Sequence, residues 1–171
     1  VFRDTLERNI VNWFFITDND PAYLGDVFNN LGVFPEADSL LVFGFEKDRN
    51  FNKIDNNFLA RVHFHYPINA FIDHDSSAYK NFASIYRRKY FDRPSSFAVE
   101  GFDMTYDLLQ RLANSPDIIE QGVSERIGTK YDFIENTSGG IINKGIYIIK
   151  YEGLSEKVMN SVEFKKGENN E

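Results

Sequence analysis

Three groups of residues in this sequence carry side chains able to do chemistry. His63 and His65 stand two apart in an apolar run, which puts both imidazoles on one side of an extended strand, and Asp73, His74 and Asp75 follow a short loop later. Two imidazoles and a carboxylate make a zinc-type donor set. Two polar aromatics on one strand face arise as readily without a metal, however, and no metal site is assigned. Asp18-Asn19-Asp20 crowds oxygen donors but lacks the glycine and the bidentate glutamate of a calcium loop. Capping of the helix that follows accounts for it. Gly139-Gly140 precedes Asn143-Lys144 without the spacing or the Ser/Thr of a phosphate loop, and it stands between strands, so it reads as a turn. There is no Gly-x-Ser-x-Gly elbow, and no acid pair is marked by its local context as a glycosidase dyad. No catalytic residue and no cofactor is assigned, and the expectation is a protein that is not an enzyme.

The elements that must position these residues alternate strand and helix. Ile10 to Thr17 is a nearly continuous, β-rich apolar run, as in a strand covered on both faces. Asp18-Asn-Asp-Pro21 stops it. Pro21 suits the first turn of a helix with an Asp or Asn cap before it, and Leu24, Val27, Phe28 and Leu31 follow at helical spacing up to the stop at Gly32. Ser39 to Phe45 is a second strand, so strand, helix and strand succeed one another as a βαβ unit with a parallel pair. A short amphipathic piece, Ile54 to Leu59, leads to a third strand, Arg61 to Tyr66. Beyond Pro67, Asp75-Ser-Ser77 caps a helix with the stripe Tyr79, Phe82, Ala83, Tyr86 and Tyr90, and Arg87, Arg88 and Lys89 suit its C-terminal dipole. After the break at Asp92-Arg-Pro94, a helix from Ser96 to Ala113 carries Val99, Phe102, Leu109 and Leu112 on more than one side, and is expected to be largely buried. Tyr131 to Ile134 and Gly145 to Tyr151 read as strands joined in a hairpin through Asn136-Thr-Ser-Gly-Gly140.

Composition bounds the class. The 171 residues suit one domain or slightly more, and 42% apolar with 26% charged residues is a globular balance. A net charge of −7 and a pI near 5.0 argue against an electrostatic hold on nucleic acid or anionic lipid. Zero cysteines exclude disulfides, thiolate zinc sites and a cysteine nucleophile. No apolar run reaches the 18 or so residues of a membrane span, so membrane insertion is not expected. The start at Val1 and the polar run Lys165 to Glu171 suggest a processed or excised piece, organised as one α/β domain over residues 1–160 with a polar tail at 161–171.

In an open α/β sheet, ligands bind outside the carboxyl ends of the parallel strands. Those ends are Asp18 to Asp20, Phe45 to Asp48 and His65 to Pro67. Their acids and aromatics suit a cationic or amine-bearing small molecule.

The order of elements resembles the type 1 periplasmic binding-protein fold, the Leu/Ile/Val-binding and receptor ligand-binding family. The resemblance is carried by Tyr79-Lys-Asn-Phe-Ala-Ser-Ile-Tyr-Arg-Arg-Lys-Tyr90, by Arg93-Pro-Ser-Ser-Phe-Ala-Val-Glu-Gly-Phe-Asp-Met-Thr-Tyr-Asp-Leu-Leu109, by Val42-Phe-Gly-Phe-Glu46, and by Asn143 to Tyr151 after Gly139-Gly140. It covers roughly Ile10 to Gly153 and is nearest to variants associated with Bacteroidetes envelope proteins, in which such a module often follows peptidoglycan-binding LysM repeats. It implies a three-layer α/β fold, a parallel sheet with flanking helices and a C-terminal hairpin, matching only the C-terminal half of a two-lobed protein. The first-lobe sheet is missing, so the helices from Ser76 to Ala113 are expected to repack on the chain's own sheet or to be buried by a partner, either the missing N-terminal lobe or a second copy.

The family's acid that holds a ligand ammonium corresponds to Glu46, and Asn19 and Asp20 correspond to another contact region. With Tyr66 from the third strand end, these are the expected ligand-binding residues, and Lys47 is placed to neutralise Glu46. The expected function is non-catalytic binding or sensing of an amino-acid-like solute, in the periplasm or cell envelope of a Gram-negative bacterium. The alternative is a ligand-free, peptidoglycan-associated interaction or assembly scaffold, for which 17 Phe, 9 Tyr and 1 Trp supply contact material. A receiver-like domain built on Asp18 and Lys150 is weaker, because Lys150 falls inside a hairpin strand.

Overall fold

The computed structural model describes residues 6–7, 10–32 and 39–159. The polar tail expected at 161–171 lies outside the described residues. In chain order the elements are β1 (Asn12–Ile16), α1 (Pro21–Gly32), β2 (Leu40–Gly44), α2 (Asn56–Arg61), β3 (Phe64–Ile68), α3 (Ser77–Tyr90) and α4 (Ser96–Asn114). They continue as β4 (Ser124–Glu125), β5 (Lys130–Tyr131), β6 (Phe133–Glu135), β7 (Ile141–Asn143), β8 (Tyr147–Glu152) and β9 (Ser155–Val158). The chain divides into two compact units, Val1–Ile68 with Ile148–Glu171, and Asn69–Tyr147.

The first unit is built on a five-stranded sheet of order β1-β2-β3-β8-β9. The expected parallel βαβ unit is present. β1 pairs with β2 from Asn12↔Leu40 to Ile16↔Gly44, β2 pairs parallel with β3, and β8 and β9 form an antiparallel C-terminal hairpin. The predicted stripe Leu24, Val27, Phe28 and Leu31 is buried, because an apolar residue every three to four positions gives α1 one face to lay on the sheet. Phe28 meets Phe64 of β3 edge-on at 5.5 Å, and Phe51, in a short 3₁₀ turn, stacks on Phe64 at 5.1 Å. Leu40, Val42 and Leu59 complete this core.

The opposite sheet face differs from expectation. Trp13 and Phe15 are 52% and 59% exposed, stacked on Phe43 at 5.1 and 5.3 Å. Within this unit helices cover one face only, so β1 is not a doubly covered strand and a third layer is not formed by the unit's described residues. The continuous apolar run gives no periodic signal to separate one buried face from two. The third strand also starts later than expected. Residues 56–61 form α2, His63 takes a left-handed conformation with φ 47°, and β3 begins at Phe64.

In the second unit both helices are capped by a serine, the first within the expected Asp75-Ser-Ser77. Ser76 Oγ accepts from the Tyr79 amide at 3.2 Å, and Ser95 Oγ accepts from the Ala98 amide at 3.2 Å. The burial of α4 is not the expected one. Phe102, Leu109 and Leu112 are exposed, while the buried face is Val99, Asp103, Asp107 and Arg111 at four-residue spacing. Those charges are buried because the segment after α4 supplies partners. The Asp103 carboxylate accepts the amides of Ile127, Gly128 and Thr129 at 3.1, 2.8 and 3.1 Å. Arg111 Nε donates to Asp107 Oδ2 at 2.6 Å, and its other nitrogens donate to Ile118 O, Gly122 O and Ser124 Oγ. Arg126 Nη2 reaches Asp107 Oδ1 at 2.7 Å.

The expected hairpin has a different second strand. Asn136 Oδ1 accepts the amides of Ser138 and Gly140, and Gly139 supplies φ 79°, so β7 folds back antiparallel on β6 from Phe133↔Asn143 to Glu135↔Ile141. The run Gly145 to Tyr151, expected to pair there, instead contributes β8 to the five-stranded sheet.

Candidate functional site

The carboxyl ends of β1 and β2 lie side by side because the strands are parallel and in register up to Ile16↔Gly44. Gly44 is needed at this point. A Cβ there would sit 2.9 Å from the Phe64 ring and 3.2 Å from the Glu46 carbonyl, so the absent side chain lets the loop after β2 turn across β3.

Beyond these strand ends, a shallow pocket of about 130 Å³ is lined by Thr17, Asp18, Asn19, Phe45 and Glu46, among others. Asn19 Nδ2 bridges two carboxylates, donating to Glu46 Oε1 at 3.2 Å and to Asp48 Oδ2 at 3.0 Å. Asn50 Nδ2 in turn donates to the Asn19 carbonyl at 2.9 Å and to Asp48 Oδ2 at 3.2 Å, tying the two loops together. Among the described residues no lysine or arginine forms an ion pair with Glu46 or Asp48. Two carboxylates sharing one amide donor, with no cation paired to them among the described residues, form a negative spot suited to a solute ammonium.

Of the expected ligand residues, Asn19 and Glu46 therefore meet across 27 positions of sequence. Asp20 stands beside them but is occupied with the helix: its Oδ1 accepts the amides of Ala22 and Tyr23 at 2.9 and 3.1 Å, as an N-cap does. Tyr66 is placed elsewhere. It lies inside β3, buried, in a second cluster with Lys47, Tyr151 and Glu156.

That cluster corrects the expectation for Lys47, which does not turn to Glu46. Lys47 Nζ donates to Tyr151 Oη at 2.6 Å and to the Glu156 carboxylate, and Tyr151 Oη donates to Glu156 Oε1 at 2.8 Å. Burial works against the charge on Lys47, but its hydrogen bonds to Glu156 and Tyr151 outweigh burial and raise its pKa. The same balance acts on Glu156, where burial is outweighed by hydrogen bonds from Lys47 and Tyr151 and the carboxyl pKa falls. Burial and the neighbouring Glu156 push the Tyr66 phenol far above its ordinary range.

The histidines do not assemble. His63 precedes β3 in its left-handed turn, so the two-residue spacing does not place it on a strand face with His65. His65 is buried against Phe43 at 4.8 Å, its pKa lowered by burial and its Nδ1 without a partner, and His74 packs on Tyr79. No group of three or more acidic or histidine side chains among the described residues is arranged to hold a metal.

Asp48 fell within the expected strand-end loop Phe45 to Asp48 but was not among the expected ligand residues, and Asn50 was not expected at the site. Their signal was available, since both follow Glu46 within four positions in the same polar loop. Glu156, 109 positions from its partner Lys47, had none.

No protein-family model and no curated protein sequence matches the chain. Among solved structures it is similar to an ABC transporter substrate-binding protein from Desulfitobacterium hafniense in complex with Leu, at 13% identity and a TM-score of 0.41, over 82% of this chain and 48% of that one. A second structure, an ABC transporter substrate-binding protein from the same organism, matches at 15% identity and a TM-score of 0.40 with the same coverage. The chain thus spans about half the length of the structures it matches.

Proposed function

We propose that this chain is part of a non-catalytic solute-binding or sensing protein, and that it takes the ammonium group of an amino-acid-like solute at the ends of β1 and β2. The observation that carries this reading is the joint engagement of Glu46 and Asp48 by Asn19, with the adjacent Lys47 drawn off to Glu156. The position agrees with the general rule for open α/β sheets. The family resemblance in the sequence supplies the rest: a first lobe or a second copy of the chain completes the cleft, and the protein works in the periplasm or envelope of a Gram-negative bacterium. Asp20 and Tyr66 serve this site indirectly, one by capping α1 and the other by packing the cluster that holds Lys47.

The test is a thermal-shift screen of L-amino acids and simple amines on the longest form of the protein that carries this chain, followed by calorimetry on any hit. A hit is expected, and Glu46→Gln is expected to weaken it by roughly tenfold or more, the worth of a charged hydrogen bond. A panel with no hit would overturn the reading.

It would also favour a second one, an interaction scaffold without a solute. The exposed apolar residues of α4, including Met104, Leu109 and Leu112, support that alternative, because a contiguous apolar face is usually covered by a partner.

A further inference from the structure

Lys47 is flanked in sequence by Glu46 and Asp48, the two carboxylates of the strand-end site, yet pairs with neither. It sits in a cage made by β3, β8 and β9. The Glu156 carboxylate and Tyr151 Oη accept its protons, and its ammonium lies 5.1 Å from the centre of the Tyr151 ring and 5.6 Å from that of Tyr66. The Lys47 side chain is only 17% exposed, so this pair is screened less than a surface pair would be. Two aromatic faces add cation–π attraction that a mobile lysine in water would lack.

We propose that Glu156 determines the charge specificity of the strand-end site by holding Lys47 on the β8–β9 hairpin, leaving Glu46 and Asp48 without a lysine or arginine partner among the described residues and therefore selective for a cationic group. The inference rests on the solute-binding reading above. Glu156 acts through Lys47 and does not itself touch the pocket, so it is a positioning residue. Among the described residues Glu156 is the carboxylate that pairs with the lysine. Without it, the long Lys47 side chain has two carboxylates within one residue on either side to turn to, and an ammonium against either would occupy the place of the solute's own.

The experiment reads the site without the natural solute. In the 171-residue chain, the side-chain carboxyls of Glu46 and Asp48 are titrated by carbon-detected NMR, and hexamminecobalt(III) serves as a cation probe followed at the amides of Asn19, Glu46 and Asp48. Glu156→Leu is expected to lower the titration midpoint of Glu46 or Asp48 by about one pH unit or more, as an opposite charge within a few ångströms does. It should also weaken probe binding by roughly tenfold, the equivalent of that shift. Adding Lys47→Met to Glu156→Leu should restore both, a rescue that a merely structural role for Glu156 would not give. Glu156→Gln keeps the side-chain shape and is the variant to read if Glu156→Leu does not fold, with the same direction expected. Unchanged midpoints and probe affinity in the folded variant, or failure of Lys47→Met to restore them, would overturn the inference. If the carboxylates respond as expected while the solute screen finds nothing, the solute-binding reading fails and the Lys47–Glu156 lock stands.

Discussion

Arg111→Leu is the sharpest test of how the second unit is held together. Arg111 is 1% exposed and its guanidinium makes four hydrogen bonds, to Asp107 Oδ2, Ile118 O, Gly122 O and Ser124 Oγ, at 2.6, 2.7, 2.9 and 2.9 Å. Leucine fills part of the volume and satisfies none of these acceptors. Removing one member of a buried ion pair costs about 3–5 kcal/mol. Asp107 keeps Arg126 and Ser124, which places the expected loss near the lower end, about 3 kcal/mol. Urea unfolding at neutral pH, followed by far-UV circular dichroism, measures it, while fluorescence of the sole tryptophan, Trp13, reports the first unit separately. Burial by itself would raise the Asp107 pKa, but hydrogen bonds from Ser124, Arg111 and Arg126 outweigh it and hold the carboxyl below its usual range. A depressed folded-state pKa gives stability that is present above the ordinary aspartate value of about 3.9 and lost as pH falls through the folded value. The variant should therefore show a shallower acid loss than the parent below about pH 4. A stability loss under about 1 kcal/mol, the size of a surface pair, would refute the claim that this network organises the unit.

Two further substitutions test backbone features. At Gly145 an added Cβ would lie 2.1 Å from the Lys130 carbonyl oxygen and 2.6 Å from its carbon, so Gly145→Ala must push two backbone segments apart; a loss of about 2–3 kcal/mol in chemical denaturation is expected. Phe91 closes α3 in a left-handed conformation, φ 59°, and the residue is 92% exposed. Phe91→Gly therefore relieves backbone strain at little packing cost and should raise stability by up to about 1 kcal/mol, and a loss of that size would show the ring to be engaged.

What could be read from the residues in order was whatever depends on local spacing. The stripe Leu24, Val27, Phe28 and Leu31, the Asp20 cap and the succession of strand, helix and strand are all set by neighbours within a turn or two, and the structure bears them out. The meeting of Asn19 with Glu46 was legible for the same reason, because parallel strands place their carboxyl ends together. Long-range partners decided the rest. Asp103, Asp107 and Arg111 look like a solvated helix face until the amides of 127–129, two carbonyls and Arg126 are brought against them, since a charge is buried only where its partners are. Lys47 stands between two acids in the chain, yet Glu156, 109 positions away, is the carboxylate that holds it. Whether the face carrying Trp13 and Phe15 is covered was likewise beyond an apolar run, which records that side chains are hydrophobic but not what packs on them.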